Sequence, residues 1–179
     1  KQKSNVIYPG AEYITYESVI NLRAKLRKRL GYTNEDFVVG TIARLDFQKN
    51  PLVFPKIAKR YLKIDKHAKF LWIGKGSLTE DFKNVIKKLD MGSKITLLGY
   101  IQEVENYYTV FDAFVITSRY EGLPITAFKS IACCNPVVAF KVNGISDLSN
   151  TFVSVLGVMP NDINDFVNKI AQAKKMVKT

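Results

Sequence analysis

Three stretches of the sequence gather side chains that could act on an anion or a sugar. In Ala43-Arg44-Leu45-Asp46-Phe47-Gln48-Lys49-Asn50, two cations stand five positions apart. A guanidinium offers phosphate oxygens a planar fork and an ammonium is a mobile point charge, so Arg44 and Lys49 together suit a polyphosphate. The same spacing also fits two ordinary charges on an exposed loop. Gly74-Lys75-Gly76-Ser77 is the second stretch. Gly74 and Gly76 would let a ligand approach the backbone, and a helix amino end behind them would favour an anion. The stretch matches neither the full dinucleotide fingerprint nor the P-loop pattern, and a plain turn explains it equally. The third stretch is Thr117-Ser118-Arg119-Tyr120-Glu121-Gly122-Leu123-Pro124. Glu121 could accept hydrogen bonds from sugar hydroxyls while the amides after it donate to a diphosphate. Its simpler reading is a turn in which Glu121 complements a helix dipole.

Composition narrows the rest. The chain has 179 residues, 47% of them hydrophobic, enough for a single buried core. No apolar run approaches the roughly 20 residues that span a bilayer, and no signal-type segment follows the polar start. The sequence does not open with Met, which raises the expectation of a piece of a longer protein. The two cysteines, Cys133 and Cys134, are adjacent and poorly placed to bridge each other. A reduced, cytoplasmic setting is expected. His67 is the single histidine and sits among polar neighbours, so an exposed position is expected and a histidine metal site is not. With 27 Lys and Arg against 16 Asp and Glu, the net charge is +11. Such a balance attracts nucleic acid, anionic lipid or phosphorylated ligands without choosing among them. Zinc-finger and RNP-like patterns are missing, which leaves nucleic acid resting on charge alone. Arg23, Lys25, Arg27, Lys28 and Arg29 read as the solvated side of a helix.

The elements that must carry these loops alternate as βαβ units do, which predicts an α/β, doubly wound parallel sheet of Rossmann-like type. Residues 17–30 have the period of an amphipathic helix stopped by Gly31. A strand at 37–42 precedes a helix within 51–62, where Pro55 fits only in the first turn. A strand at 69–74 leads to a helix opened by a Ser77-Leu78-Thr79-Glu80 capping box. Strands at 95–98 and 113–116 flank a short helical piece at 104–110. A helix over 126–134 should end with Asn135 in the left-handed cap before Pro136. Strands at 137–140 and 152–155 and a final helix capped by Asn161 complete the chain. In such sheets ligands bind beyond the carboxyl ends of the strands, where all three unusual loops fall.

Taken together, these residues resemble the C-terminal domain of GT-B glycosyltransferases of family four. The match runs through Ala43-Arg44-Leu45 with Lys49-Asn50, Gly74-Lys75-Gly76, Leu98-Gly99-Tyr100, and Asp112 with Thr117 through Pro124. It continues through Asn135-Pro136-Val137-Val138-Ala139 and Asn143-Gly144-Ile145. It spans residues 6–177 in the family's order and spacing. The resemblance implies a nucleotide-diphosphate sugar as donor, with a UDP-sugar expected, and retaining transfer to a saccharide or lipid-linked acceptor. It requires no metal and no cofactor beyond the donor. Arg44 and Lys49 would hold the diphosphate and Glu121 would touch the sugar, with the Gly122-Leu123-Pro124 backbone near the phosphates and Ser118 also binding the donor. Gly74 and Gly76 would flank the donor, and Tyr100 and Ile101 would lie near the base. Residues 1–16, with Val6-Ile7-Tyr8-Pro9-Gly10, resemble the hinge after an acceptor-binding N-terminal domain absent from this chain; residues 17–179 would form the donor domain, inactive when isolated. Peripheral contact with the inner face of a membrane is a further expectation, and nucleic acid is not an expected partner.

One position departs from the family. Where a second glutamate usually accepts hydrogen bonds from the ribose, eight positions after Glu121, this sequence has Lys129. An ammonium donates and cannot accept, so the ordinary contact is impossible. Lys129 would contact phosphate instead, or the donor would be held differently, or the domain would be a binding module that has lost its chemistry. Cys134 also stands where a glycine is common.

Overall fold

The computed structural model describes residues 16–177, so the expected hinge at Val6–Gly10 lies outside the described residues. Helices α1 (Tyr16–Arg29), α2 (Phe54–Tyr61), α3 (Thr79–Lys88), α4 (Ile125–Ala132), α5 (Asn143–Thr151) and α6 (Ile163–Val177) alternate with strands. The strands are β1 (Val38–Ile42), β2 (Lys69–Ile73), β3 (Ile95–Leu97), β4 (Ala113–Ile116), β5 (Val137–Phe140) and β6 (Val155–Val158). They form one sheet in the order β3-β2-β1-β4-β5-β6, and every pairing is parallel.

A parallel sheet covered on both faces needs strands that are largely apolar, and apart from Thr41, Lys69 and Thr96 these are. Val39, Phe70, Trp72, Val115, Val138 and Phe140 point to one side, where they meet Phe54 and Ile57 of α2, Phe82 of α3 and Phe166 of α6. Val38, Leu71, Phe114, Val137 and Ala139 point to the other, against Leu26 of α1, Ala127 of α4 and Leu148 of α5. The connection after β1 therefore leaves toward one face and the connection after β4 toward the opposite face. A crevice opens between these two adjacent strands.

Local chemistry decides several points differently from the sequence pattern. The left-handed residue after α4 is Cys134, at φ 59°, not Asn135. Asn135 is buried and its amide donates to the Tyr108 carbonyl at 2.7 Å, a bond that fixes its backbone and leaves the turn to its neighbour. No capping box forms at Ser77: helix α3 starts after Leu78, and the Thr79 hydroxyl closes the turn on both backbone groups of Gly76. The side chain at the start of α6 is Asp162, which accepts from the Asp165 amide at 2.9 Å, while Asn161 takes the left-handed turn before it. Residues 143–151 are helical, which pushes the last strand to Val155–Val158.

The largest correction concerns the basic side of α1. Arg27 is buried, with 1% of its surface exposed. Arg23 and Arg27 both pair with Asp112. Arg23 also donates to the carbonyls of Thr109 and Phe111, and Arg27 to those of Val110, Thr33 and Asp36. Asp112 in turn accepts the Val38 amide at 2.7 Å. Buried charges persist when paired and fully hydrogen-bonded, and here they fasten α1 to the entry ends of β1 and β4. Burial pulls the Arg27 pKa down, opposed chiefly by Asp112. Lys25, Lys28 and Arg29 remain exposed, as does His67.

Candidate functional site

The crevice between β1 and β4 holds a cleft of about 220 Å³, lined in part by Thr41, Arg44, Lys49, Thr117, Ser118, Glu121 and Thr126. Two loops make its walls, and hydrogen bonds hold them together. The Arg119 amide donates to the Gln48 carbonyl at 2.8 Å, and the Thr117 hydroxyl donates to the Lys49 carbonyl at 2.9 Å. The Gln48 side-chain amide reaches the Tyr120 carbonyl at 3.3 Å. The Arg119 guanidinium lies over the exposed Phe47 ring, 4.5 Å from its centre.

Lys49 and Glu121 meet inside the cleft, Nζ to Oε1 at 2.7 Å, with side chains 20% and 7% exposed. The Ser118 hydroxyl donates to the same oxygen at 2.6 Å. Among the described residues nothing donates to Glu121 Oε2, so that oxygen keeps its accepting capacity. Arg44 lines the same cleft from its rim, 70% exposed, held by Asp46 at 3.0 Å and by Gln48 at 3.3 Å. Beyond Glu121, the exposed amides of Gly122 and Leu123 have no acceptor among the described residues. Pro124 is buried where α4 begins. Gly122, Leu123 and Pro124 do not themselves line the cleft, which offers two cations and one carboxylate with unengaged amides following that carboxylate in the chain, a donor-and-acceptor set suited to an anion joined to a polyol.

Three glycines make this geometry accessible. Gly74 has φ 135°, and a Cβ there would stand 2.1 Å from the Ala43 carbonyl oxygen. The Gly74-Gly76 turn thus packs directly behind the loop carrying Arg44; neither glycine is among the residues that line the cleft. Gly144, at the start of α5, donates its amide to the Glu121 carbonyl at 3.2 Å. A Cβ on it would lie 1.8 Å from the Gly122 oxygen.

The chain belongs to the glycosyl transferases group 1 family. Residues 23–179 match that family's model. Over 174 residues, 95% of this chain, it is 29% identical to 45% of the UDP-Gal:alpha-D-GlcNAc-diphosphoundecaprenol alpha-1,3-galactosyltransferase of Escherichia coli. It is 33% identical over 91 residues to a GalNAc-alpha-(1->4)-GalNAc-alpha-(1->3)-diNAcBac-PP-undecaprenol alpha-1,4-N-acetyl-D-galactosaminyltransferase of Campylobacter jejuni, covering 50% of this chain and 25% of that one. The fold is that of Anabaena Alr3699/HepE, solved with UDP and glucose, at TM-score 0.81 and 22% identity, covering 98% of this chain and 50% of that one. The chain thus spans less than half the length of these two curated relatives.

The remaining sequence-predicted residues lie away from the cleft lining. Tyr100 is 70% exposed, with the Lys75 ammonium 5.9 Å from its ring centre, and Ile101 is half-buried against the core. Lys129 follows Thr126 by three positions, on the same side of α4 as the cleft, and its Nζ meets Glu105 Oε1 at 2.8 Å. Glu105 belongs to the short 3₁₀ helix Val104–Val110, and the Lys129 hydrogen bond holds its carboxyl below the usual glutamate range. The residues next to Lys129 in sequence, Phe128 and Ser130, carry no carboxylate. The structure brings Glu105, 24 residues upstream, to Lys129, and no local pattern marks that pairing. Thr41, Trp72 and Thr126 were missed for a related reason: each lines the cleft only because three elements converge there. Among the described residues no group of three or more His, Cys, Asp or Glu could hold a metal ion.

Proposed function

We propose that this chain is the donor-binding, C-terminal half of a family-four GT-B glycosyltransferase. It would bind a nucleotide-diphosphate sugar, a UDP-sugar first, for retaining transfer to a saccharide or lipid-linked acceptor. The observation that carries this reading is the meeting of Lys49, Arg44 and Glu121 in one cleft at the sheet's switch point. The relatives' names support the choice of substrates: one uses UDP-Gal with a diphosphoundecaprenol-linked acceptor, and one structural neighbour was solved with UDP and glucose.

In this reading the bond between the anomeric carbon and the diphosphate oxygen breaks while negative charge grows on the leaving group. Lys49 exchanges its contact with Glu121 for the diphosphate, and Arg44 swings in from the rim. The Gly122 and Leu123 amides complete the anion site, as preorganised donors do when they face developing charge. Glu121, released from Lys49 and still held by Ser118, accepts from sugar hydroxyls. Glu105, presented by Lys129, accepts from the ribose in place of the missing glutamate. The acceptor and the opposing lobe would come from the part of the protein beyond this chain.

Calorimetric titration with UDP, GDP and ADP, then with their sugars, tests the reading. UDP should bind, and Lys49→Ala should weaken it strongly. Failure of all three nucleotides to bind would remove the donor assignment. The charge at Lys129 favours a second reading, a nucleotide-sugar-binding module without catalysis. Transfer or donor hydrolysis by the full-length protein would exclude it.

A further inference from the structure

We infer that the outward side of α2 is a docking surface for an anionic lipid bilayer. Lys56, Lys59, Arg60 and Lys63 fall at i, i+3, i+4 and i+7, the spacing that keeps side chains on one side of a helix and its following turn. The structure places all four, exposed, around a single groove of about 300 Å³ whose remaining lining is Leu89 and Ile163. None of the four pairs with a carboxylate among the described residues. Lys59 donates to the Leu89 carbonyl and Arg60 to the Asn164 side chain, both neutral partners. Four like charges around one groove repel each other, and an anionic surface relieves that repulsion.

Three features select lipid over nucleic acid. Ile64, next to Lys63, is 58% exposed, an aliphatic side chain at the end of a basic stripe, as interfacial surfaces present. The groove has an aliphatic lining and no aromatic residue on which a base could stack. On the proposed function the acceptor can be lipid-linked, as the names of two relatives state for theirs. Yet no helix of the described residues is long and apolar enough to cross a membrane. A surface contact would bring the enzyme to such an acceptor. Helix α2 follows the loop that carries Arg44 and Lys49 in the chain, so the stripe lies on the element that leaves that loop.

The test is sedimentation of the full-length protein with vesicles of phosphatidylglycerol and phosphatidylcholine, against vesicles of phosphatidylcholine alone. Wild type should bind the anionic vesicles selectively and lose them with added salt. The triple variant Lys56→Ser, Lys59→Ser, Lys63→Ser, which keeps the Arg60 bond, should partition less by roughly fivefold per lost charge, about a hundredfold in all. A charge-matched triple at exposed positions on α1, Lys25→Ser, Lys28→Ser, Arg29→Ser, should change it far less. Equal losses in the two triples, or none in the first, would overturn the proposal. So would a larger effect of the first triple on duplex DNA binding than on vesicle binding. UDP titration of the same samples separates the two readings. Retained UDP affinity in the first triple shows an intact fold, and wild type that binds vesicles but no nucleotide would fail the donor assignment alone.

Discussion

Lys49 Nζ and Glu121 Oε1 stand 2.7 Å apart across the gap between the loops that follow β1 and β4. The pair is largely hidden from water, so each partner has a cost if left alone: removing one leaves the other desolvated without its counter-charge, at about 1–3 kcal/mol. Lys49→Ala should therefore lower stability by that amount and reduce transfer by roughly 10²–10³, the usual effect of removing a preorganised stabiliser. Lys49→Ala combined with Glu121→Ala should recover part of the stability and none of the transfer. Chemical denaturation and a transfer assay on the full-length protein read the two effects separately. A double variant as unstable as the sum of the singles would mean that the contact is incidental.

Glu105 and Lys129 differ from that pair in exposure, 57% and 38% for their side chains. Exposed pairs contribute little to folding, about 0–1 kcal/mol, so exchanging the charges with Glu105→Lys and Lys129→Glu should leave the melting temperature nearly unchanged. Nucleotide binding discriminates better. Glu105→Gln should weaken UDP by roughly tenfold, the worth of a charged hydrogen bond, and should leave 2′,3′-dideoxy-UDP unaffected. The exchanged pair should restore UDP binding, since it returns a carboxylate to position 129. Equal losses for UDP and the dideoxy analogue would detach Glu105 from the ribose.

Asp112 should matter to stability and not to the cleft. Its carboxylate serves Arg23, Arg27 and the Val38 amide together. Asp112→Asn leaves Arg27 buried without its counter-charge, which typically costs about 3–5 kcal/mol. Denaturant midpoints should fall accordingly, while the UDP affinity of the fraction still folded stays unchanged. Loss of UDP binding without loss of stability would contradict this division.

The contrast between Lys49 and Arg27 marks what the sequence could convey. Lys49 sits in a loop directly after a strand, where the topology alone says that loops converge, so its place beside the Glu121 loop follows from order and spacing, while the ion pair between them does not. Arg27 occupies a helix whose period points most of its cations to water, and only the third dimension reveals that an acid, Asp112, stands beneath it at the entry to β4. Glu105 is illegible for the same reason: its partner lies on another element, and pairing across elements leaves no trace in local pattern. The helix at 143–151 was hidden differently. Its Asn-Gly opening has the chemistry of a turn, but in the fold that glycine is where α5 presses against the Gly122 backbone.

Cys134 provides a test of backbone physics alone. It takes a left-handed conformation at φ 59° with an exposed side chain and no disulfide. An L-residue with a Cβ is strained there by about 1–2 kcal/mol, which glycine escapes. Glycine also gives the unfolded chain more freedom, which returns part of that gain. Cys134→Gly should therefore stabilise the chain by about 0.5–1 kcal/mol, raising the melting temperature by roughly 1–4 °C for a chain of this size. Cys134→Ala keeps the Cβ and should give no such gain, which separates backbone strain from loss of the thiol. The buried neighbour Cys133, whose thiol pKa is raised by burial, should resist alkylation in both variants, because less of it is thiolate at any given pH and reagent reaches it poorly. Rapid modification of Cys133 in the alanine variant alone would show that position 134 guards the packing of the turn as well as its angle.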